Sequence, residues 1–237
     1  MDRLGKRWLV FGLASWLVMA SLLSAEEPSW TRELAKKGSP VNLETLPKSW
    51  RETLQKVISS PTITTTAGSE KFYVNDELYR WLLDHPDRVA NAWRRMGVPA
   101  VDIGSLGEGR FSWTDEQGSE LIWQTVSASE ERRIWYAEGK VKPGPLFPMV
   151  PVRAVAILRH EISKDSKGRI SVRHSVEAYL QTDSKFATLV TRILGPAAPR
   201  MAEQSADQLL YYFSGIGRYL DSHPEKAATL LAEQKRK

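Results

Sequence analysis

ADQLLYYFSGIGRYL, residues 206–220, has helical spacing and is apolar on more than one side. Ala206, Leu209, Phe213, Ile216 and Leu220 fall on one stripe, and Tyr212, Gly215 and Tyr219 form a flank beside it. A helix lying on a flat sheet needs a single stripe. A helix with sheet on more than one side uses the flank as well. Burying Leu209, Phe213, Ile216 and Leu220 contributes on the order of 8 kcal/mol, at roughly 2 each. Gly215 and Gly217 each cost about 1 kcal/mol relative to Ala, which is tolerable where they admit close approach by sheet or ligand. The helix is expected from about Ala198 to Ser222, with His223 and Pro224 breaking it.

The sheet that would hold this helix is written upstream with a period of two. Val152, Ala154, Ala156, Leu158, His160 and Ile162 alternate with Arg153, Arg159 and Glu161 among the residues between them. On the return strand Ile170, Val172, His174, Val176, Ala178 and Leu180 alternate with Arg173, Ser175 and Glu177. DSKGR is the turn, with Gly168 in the left-handed position, so the even-numbered residues of both strands share the buried face. An earlier hairpin, GRFSWTDEQGSELIWQTV, turns at Gly118; its register pairs Trp113 with Leu121 and Phe111 with Trp123 on one face. ERRIWYAEGKV is a further strand, and the proline-rich KPGPLFPMVP is too broken for a central one.

Before these strands, LPKSWRETLQKVISS spaces Trp50, Leu54, Val57 and Ile58 as a short amphipathic helix. TITTT reads as a strand. Asn75 caps a helix striped with Leu78, Trp81 and Leu82. Pro86 separates it from a second, striped with Val89, Trp93 and Met96 and stopped by Gly97. DSKFATLVTRIL, around Phe186, reads as one more helix before the last. The fold class is therefore α+β, an antiparallel curved sheet wrapping a long C-terminal helix.

From Thr62 to Leu220 this order resembles the helix-grip fold of the START-related and plant-allergen-like superfamily. NDELYRWLLDHPDRVANAW is similar to the helix pair that follows the first strand there. The resemblance implies a bent sheet around the last helix, with an apolar cavity between them. This chain departs from it in lacking a glycine-rich loop between early strands and in the helix near Phe186.

Small residues at Ala154, Ala156 and Ala178 leave volume opposite the helix, unless Trp113, Trp123 or Trp135 fills it. The expected ligand-binding set is Trp113, Trp123, Ala156, His160, His174, Ala178, Leu209, Tyr212, Phe213 and Ile216. His160 and His174 face each other across the hairpin, either as a polar anchor for a ligand headgroup or as two imidazoles hydrogen-bonded in the core. A zinc site needs three or four protein ligands, and no third stands at motif spacing, so no metal and no cofactor is expected. No nucleophile, phosphate-loop, dinucleotide or zinc-protease motif is present.

The 237 residues contain no cysteine, which removes disulfides and thiolate chemistry. Net charge is +5, of which the first 25 residues carry +2; the remainder is too small and scattered for nucleic-acid binding. MDRLGKRWLVFGLASWLVMASLLSAEE has a basic start, an uncharged run from Trp8 to Ala25, and then acidic residues, the layout of a secretory signal peptide. Cleavage after Ala25 is expected, with Ala20 as the alternative; uncleaved, the run is a membrane anchor. The organisation read here is residues 1–25 signal peptide, 26–60 polar lead-in with a short helix, and 61–237 helix-grip-like domain, located in a bacterial periplasm or cell envelope. The leading function is non-enzymatic binding of an apolar or lipid-like small molecule. The alternatives are an envelope interaction protein docking through Leu146, Phe147 and Met149, and an enzyme of the cyclase or hydrolase kind the superfamily contains.

Overall fold

A computed structural model describes residues 43–68, 71–142, 148–183, 188 and 197–233. The leader, the helix expected around Phe186, and Leu146 and Phe147 lie outside the described residues; Met149 is half-buried. Helix α1 (Lys48–Ser59) follows a 3-10 turn (Leu43–Thr45). Strands β1 (Ile63–Gly68) and β2 (Phe72–Tyr73) lead into helices α2 (Asp76–Asp84) and α3 (Pro86–Arg95). The antiparallel run follows: β3 (Asp102–Gly107), β4 (Arg110–Thr114), β5 (Glu120–Ala128), β6 (Arg132–Val141), β7 (Val150–Lys164) and β8 (Ile170–Thr182). Helix α4 spans Ala197–Ser222, and a 3-10 turn (Pro224–Lys226) precedes α5 (Ala227–Leu230).

The eight strands form one sheet in the order β1-β8-β7-β6-β5-β4-β3, with β2 also paired to β8. The sheet is antiparallel throughout, and α4 is buried along most of its length against the inner face. This is the architecture expected from the alternation. The expected registers hold: Trp113 opposite Leu121, Phe111 opposite Trp123, and His160 opposite His174. Gly118 and Gly168 take the left-handed turn positions, at φ +85° and +77°.

Two strands exceed the expected set. β3 reads DIGSLG, whose two glycines and exposed tip mask any alternation, and β2 is only two residues long. The helical stripes also need correction. Tyr79, Leu82 and Leu83 are the fully buried residues of α2, with Leu78 and Trp81 only partly covered. On α4, Leu210 is buried and Leu209 only partly so. Asn75 caps α2 as expected, its side chain accepting from the Leu78 amide at 2.9 Å.

The outer face of the sheet is not left to solvent. Helix α1 lays Leu54 and Val57 on it, over Ile134, Tyr136, Val155 and Ile157. Those four alternate with the inner-face residues of β6 and β7, so both faces of the sheet centre are buried. Strand alternation then reads as a nearly continuous apolar run, visible in VAIL (155–158).

Two glycines are demanded by contact. A Cβ at Gly139 would lie 2.1 Å from the Glu120 carbonyl oxygen, where β5 and β6 bend closely together. A Cβ at Gly215 would lie 2.7 Å from the Trp93 ring. Trp93 is fixed there, its indole donating to the Tyr212 carbonyl at 3.0 Å. Glycine 215 thus admits a tryptophan from α3, not a strand or a ligand.

Gly139→Ala is expected to destabilise by more than the usual ~1–3 kcal/mol of overpacking, because the opposing atom is backbone. For Gly215→Ala, helix propensity favours Ala by about 1 kcal/mol, and overpacking against a rigid indole costs about 1–3. A net loss of stability in urea unfolding is the expected result; a gain would show that Trp93 moves aside freely.

Candidate functional site: an apolar cavity beneath the long helix

Between the inner face of the sheet and the N-terminal half of α4 lies a cavity of about 190 Å³, partly open to solvent. Its floor follows from the register. One row across the sheet is Trp135, Ala156, Ala178 and Thr65; the next is Ala137, Ala154, Leu180 and Ile63. Four alanines at the centre of two adjacent rows leave a depression that no neighbouring side chain reaches across. The roof is α4, through Ala202, Ser205, Ala206, Gln208, Leu209 and Tyr212. Val155 and Tyr179 also border the cavity, although by strand parity their side chains belong to the outer face.

The tryptophans form a wall and do not fill the space. Trp135 stacks on Phe213 with centroids 5.7 Å apart, and Trp123 meets Trp135 edge-on at 5.1 Å. Trp113 completes that side. Tyr212 is held by its hydroxyl donating to the Pro86 carbonyl at 2.5 Å. Among the described residues, no Asp, Glu, Lys, Arg or His lines the cavity.

Of the expected ligand-binding residues, Trp113, Trp123, Ala156, Ala178, Leu209 and Tyr212 are in the wall. His160, His174, Phe213 and Ile216 are not. His160 and His174 lie four residues along their strands from Ala156 and Ala178, about 13 Å at ~3.3 Å per residue, with Leu158 and Val176 between. Phe213 and Ile216 are fully buried where α4 meets the packed end of the core. Ala137 is a floor residue that sequence reasoning passed over; its signal was a small residue at an inward position of ERRIWYAEGKV.

The two histidines belong to a ring cluster instead. Phe72 and His174 have centroids 5.1 Å apart, and Tyr79 and His160 meet edge-on at 5.4 Å. The Tyr79 hydroxyl hydrogen-bonds to Nδ1 of His174. With the phenol donating, the imidazole proton sits on Nε2, which has no partner. Neither ring nitrogen of His160 makes a well-formed hydrogen bond. Burial pushes His160 down to about 4, helped by the nearby Arg133 and Arg80 guanidiniums and opposed by Asp84 and the Glu130 backbone. Burial pushes His174 down to about 3, helped by His160 and Arg218. Burial likewise raises the Tyr79 hydroxyl well above its ordinary value. Next to the cluster, buried Arg133 grips Asp84 with two hydrogen bonds, of 2.7 and 3.0 Å, joining β6 to the end of α2. The described residues contain no group of three or more His, Cys, Asp or Glu arranged to hold a metal ion.

No protein-family model matches the chain, and no curated protein does. Similar solved structures include a conserved protein from Geobacillus kaustophilus, 11% identical over 67% of this chain and 97% of that one, with a TM-score of 0.46. The allergen Ara h 8.0201 is 14% identical over 68% and 98%, with a TM-score of 0.38. A hypothetical protein from Helicobacter pylori is 13% identical over 76% and 99%, with a TM-score of 0.44. The fold described above rests on the strand order and the position of α4.

Because both histidines bind protons more weakly when folded than when unfolded, stability is full above pH ~6.5 and falls as pH drops toward 4 and then 3. The slope reaches at most about 1.4 kcal/mol per pH unit for each histidine. His160→Gln and His174→Gln are expected to flatten that slope in urea titrations between pH 6.5 and 4. Tyr79→Phe, which leaves His174 Nδ1 buried and unpaired, is expected to cost about 1–3 kcal/mol.

Proposed function

We propose that the protein binds an apolar small molecule in the cavity beneath α4, and that it does so outside the cytoplasm. The observation that carries the reading is the cavity itself. It is about 190 Å³, floored by alanines and walled by tryptophans, with no charged lining group among the described residues. Packed interiors leave few voids larger than a water molecule, and sites for small ligands are concave, mostly apolar and few per protein. The volume exceeds the ~150 Å³ that admits benzene and falls below the ~300–1,000 Å³ of drug-sized sites. It therefore suits a small ring system or one hydrocarbon chain, not a whole two-chain lipid. Binding without catalysis is the simpler reading, because the acid–base candidates His160 and His174 stand away from the wall.

Export rests on the leader: basic start, uncharged run, then acidic residues. Cleavage near Ala25 would release the domain, and a cleaved product fits Gly12, Ser15 and Ser21 lowering the apolarity of the run.

Two measurements test the proposal. Organic extraction of protein purified from its native host, followed by mass spectrometry, is expected to release a small apolar compound. Titration with naphthalene, an uncharged two-ring fluorophore whose emission responds to apolar surroundings, is expected to saturate at one site. Ala156→Leu, which pushes three further carbons into the floor, should weaken that binding at least tenfold while leaving thermal stability equal or higher. Unchanged binding by a folded Ala156→Leu protein would place the fluorophore elsewhere and defeat the reading. For the compartment, N-terminal sequencing is expected to begin near Glu26; intact Met1 in soluble cytosol would overturn export.

A further inference from the structure

We propose that acid releases α2 from the sheet through protonation of His160 and His174, and that the cavity beneath α4 loses its ligand when it does. The proposal rests on the apolar-ligand reading above and adds how that site is regulated.

The trigger follows from geometry. His160 and His174 are opposite each other on β7 and β8, and both are buried. Tyr79 of α2 meets His160 edge-on and donates its hydroxyl to Nδ1 of His174. With Nδ1 accepting, the ring's own proton is on Nε2. The one nitrogen of His174 able to take a further proton is therefore the one that ties α2 to the sheet. A protonated imidazole only donates, so that acceptor is lost.

Charge acts in the same direction. The charged side chains near the pair are Arg80 and Asp84 on α2, Arg133 on β6 and Arg218 on α4, while Glu130 acts through its backbone. Phe72, the ring from β2, brings no charge. Asp84 is already gripped by Arg133 through two hydrogen bonds, and Arg80 pairs with Asp76 at 3.6 Å. Two new positive charges would thus meet three guanidiniums and a single carboxylate that is already engaged. A buried charge without a counter-charge is costly enough to drive exposure. The mobile partner is α2, a helix of nine residues, because β7 and β8 are each paired on both sides within the sheet. Burial holds both imidazoles below their ordinary value, so each takes a proton more readily once α2 has left. The closed form is fully favoured above pH ~6.5 and loses ground as pH falls toward 4 and then 3.

The link to the cavity is the junction of α2 and α3. The Pro86 carbonyl at that junction accepts from the Tyr212 hydroxyl, and Tyr212 is a cavity residue. Displacing α2 displaces Pro86, frees Tyr212 and removes part of what holds α4 above the alanine floor. Apparent affinity then falls in proportion to the closed fraction.

Hydrogen exchange on the purified protein, corrected for the intrinsic effect of pH, tests the release. At pH 7 the amides of α2 and of β7–β8 are expected to be protected. At pH 4 those of α2 should exchange freely while those of β7–β8 stay protected. Naphthalene, uncharged at either pH, is expected to bind at least tenfold more weakly at pH 4 and to recover at pH 7. In His160→Gln and His174→Gln the slope of log affinity against pH should each fall by about one proton. Protection of α2 that persists at pH 4 would overturn the release, and so would helix and strands losing protection together. Unchanged slopes in both folded variants would remove the histidines as the trigger. Naphthalene binding equally well at both pH values would break the link to the cavity while leaving the apolar-ligand reading standing. No naphthalene binding even at pH 7 would defeat that reading, and the regulation of its site with it.

Discussion

Everything about the cavity depends on what keeps α4 from settling onto the alanine floor. The helix is gripped at its C-terminal half. Trp93 inserts against Gly215 and donates to the Tyr212 carbonyl, while the Tyr212 hydroxyl donates to Pro86. These contacts tie α4 to both ends of α3, and α3 in turn is tied to the sheet through α2 and the Arg133–Asp84 pair. Phe213 stacked on Trp135 sets the distance between helix and sheet at the cavity's edge. With its axis fixed there, a rigid helix cannot tilt toward Ala154, Ala156 and Ala178 without breaking bonds more than a turn away. The void is thus a consequence of tight packing elsewhere, not of loose packing overall.

The inner core is consequently divided along α4. At one end, Phe72, Tyr79, His160 and His174 fill the space between strands and helices with flat rings, two of which hold nitrogens without partners. Such a cluster is costly unless neutral, and burial keeps both imidazoles so. At the other end, the same inward positions of β7 and β8 carry alanine. The rows change from imidazole to Leu158 and Val176, and then to Ala156 and Ala178, within four residues of strand. One end of the molecule is filled with aromatic groups and the other is left unfilled.

Much of this was legible in the sequence, because strand period and turn glycines fix register independently of tertiary detail. The pairing of Trp113 with Leu121 and of His160 with His174 followed from where Gly118 and Gly168 could sit. Element order gave the grip of the helix. What could not be read was rotation and depth. Tyr79 stands one residue from Leu78 in a helix apolar at 78, 79, 81, 82 and 83, and spacing alone does not decide which of these faces the sheet. The histidines were placed on the correct face, but distance along the strand from the alanines, not the face, decides whether they border the cavity. Whether three tryptophans fill a void or wall it depends on ring orientation, which a linear pattern does not record. The cover of α1 on the outer face was hidden for a related reason: Val155 and Ile157 read as the solvent side of a one-faced sheet until a second layer is known to lie over them.

The energetics of an unfilled core point the same way as its chemistry. At about 24 cal/mol per Å³ of cavity, 190 Å³ left empty forfeits at most about 4–5 kcal/mol, an upper bound because the space is partly open. Net stabilities of domains are only ~5–15 kcal/mol, so this is a substantial fraction to leave unrealised. Filling the floor with one larger residue at Ala156 or Ala178 would recover part of it, and so would an apolar guest. Alanines in the floor and a helix held at fixed height each leave burial unrealised. The space they leave is what the proposed apolar guest would fill.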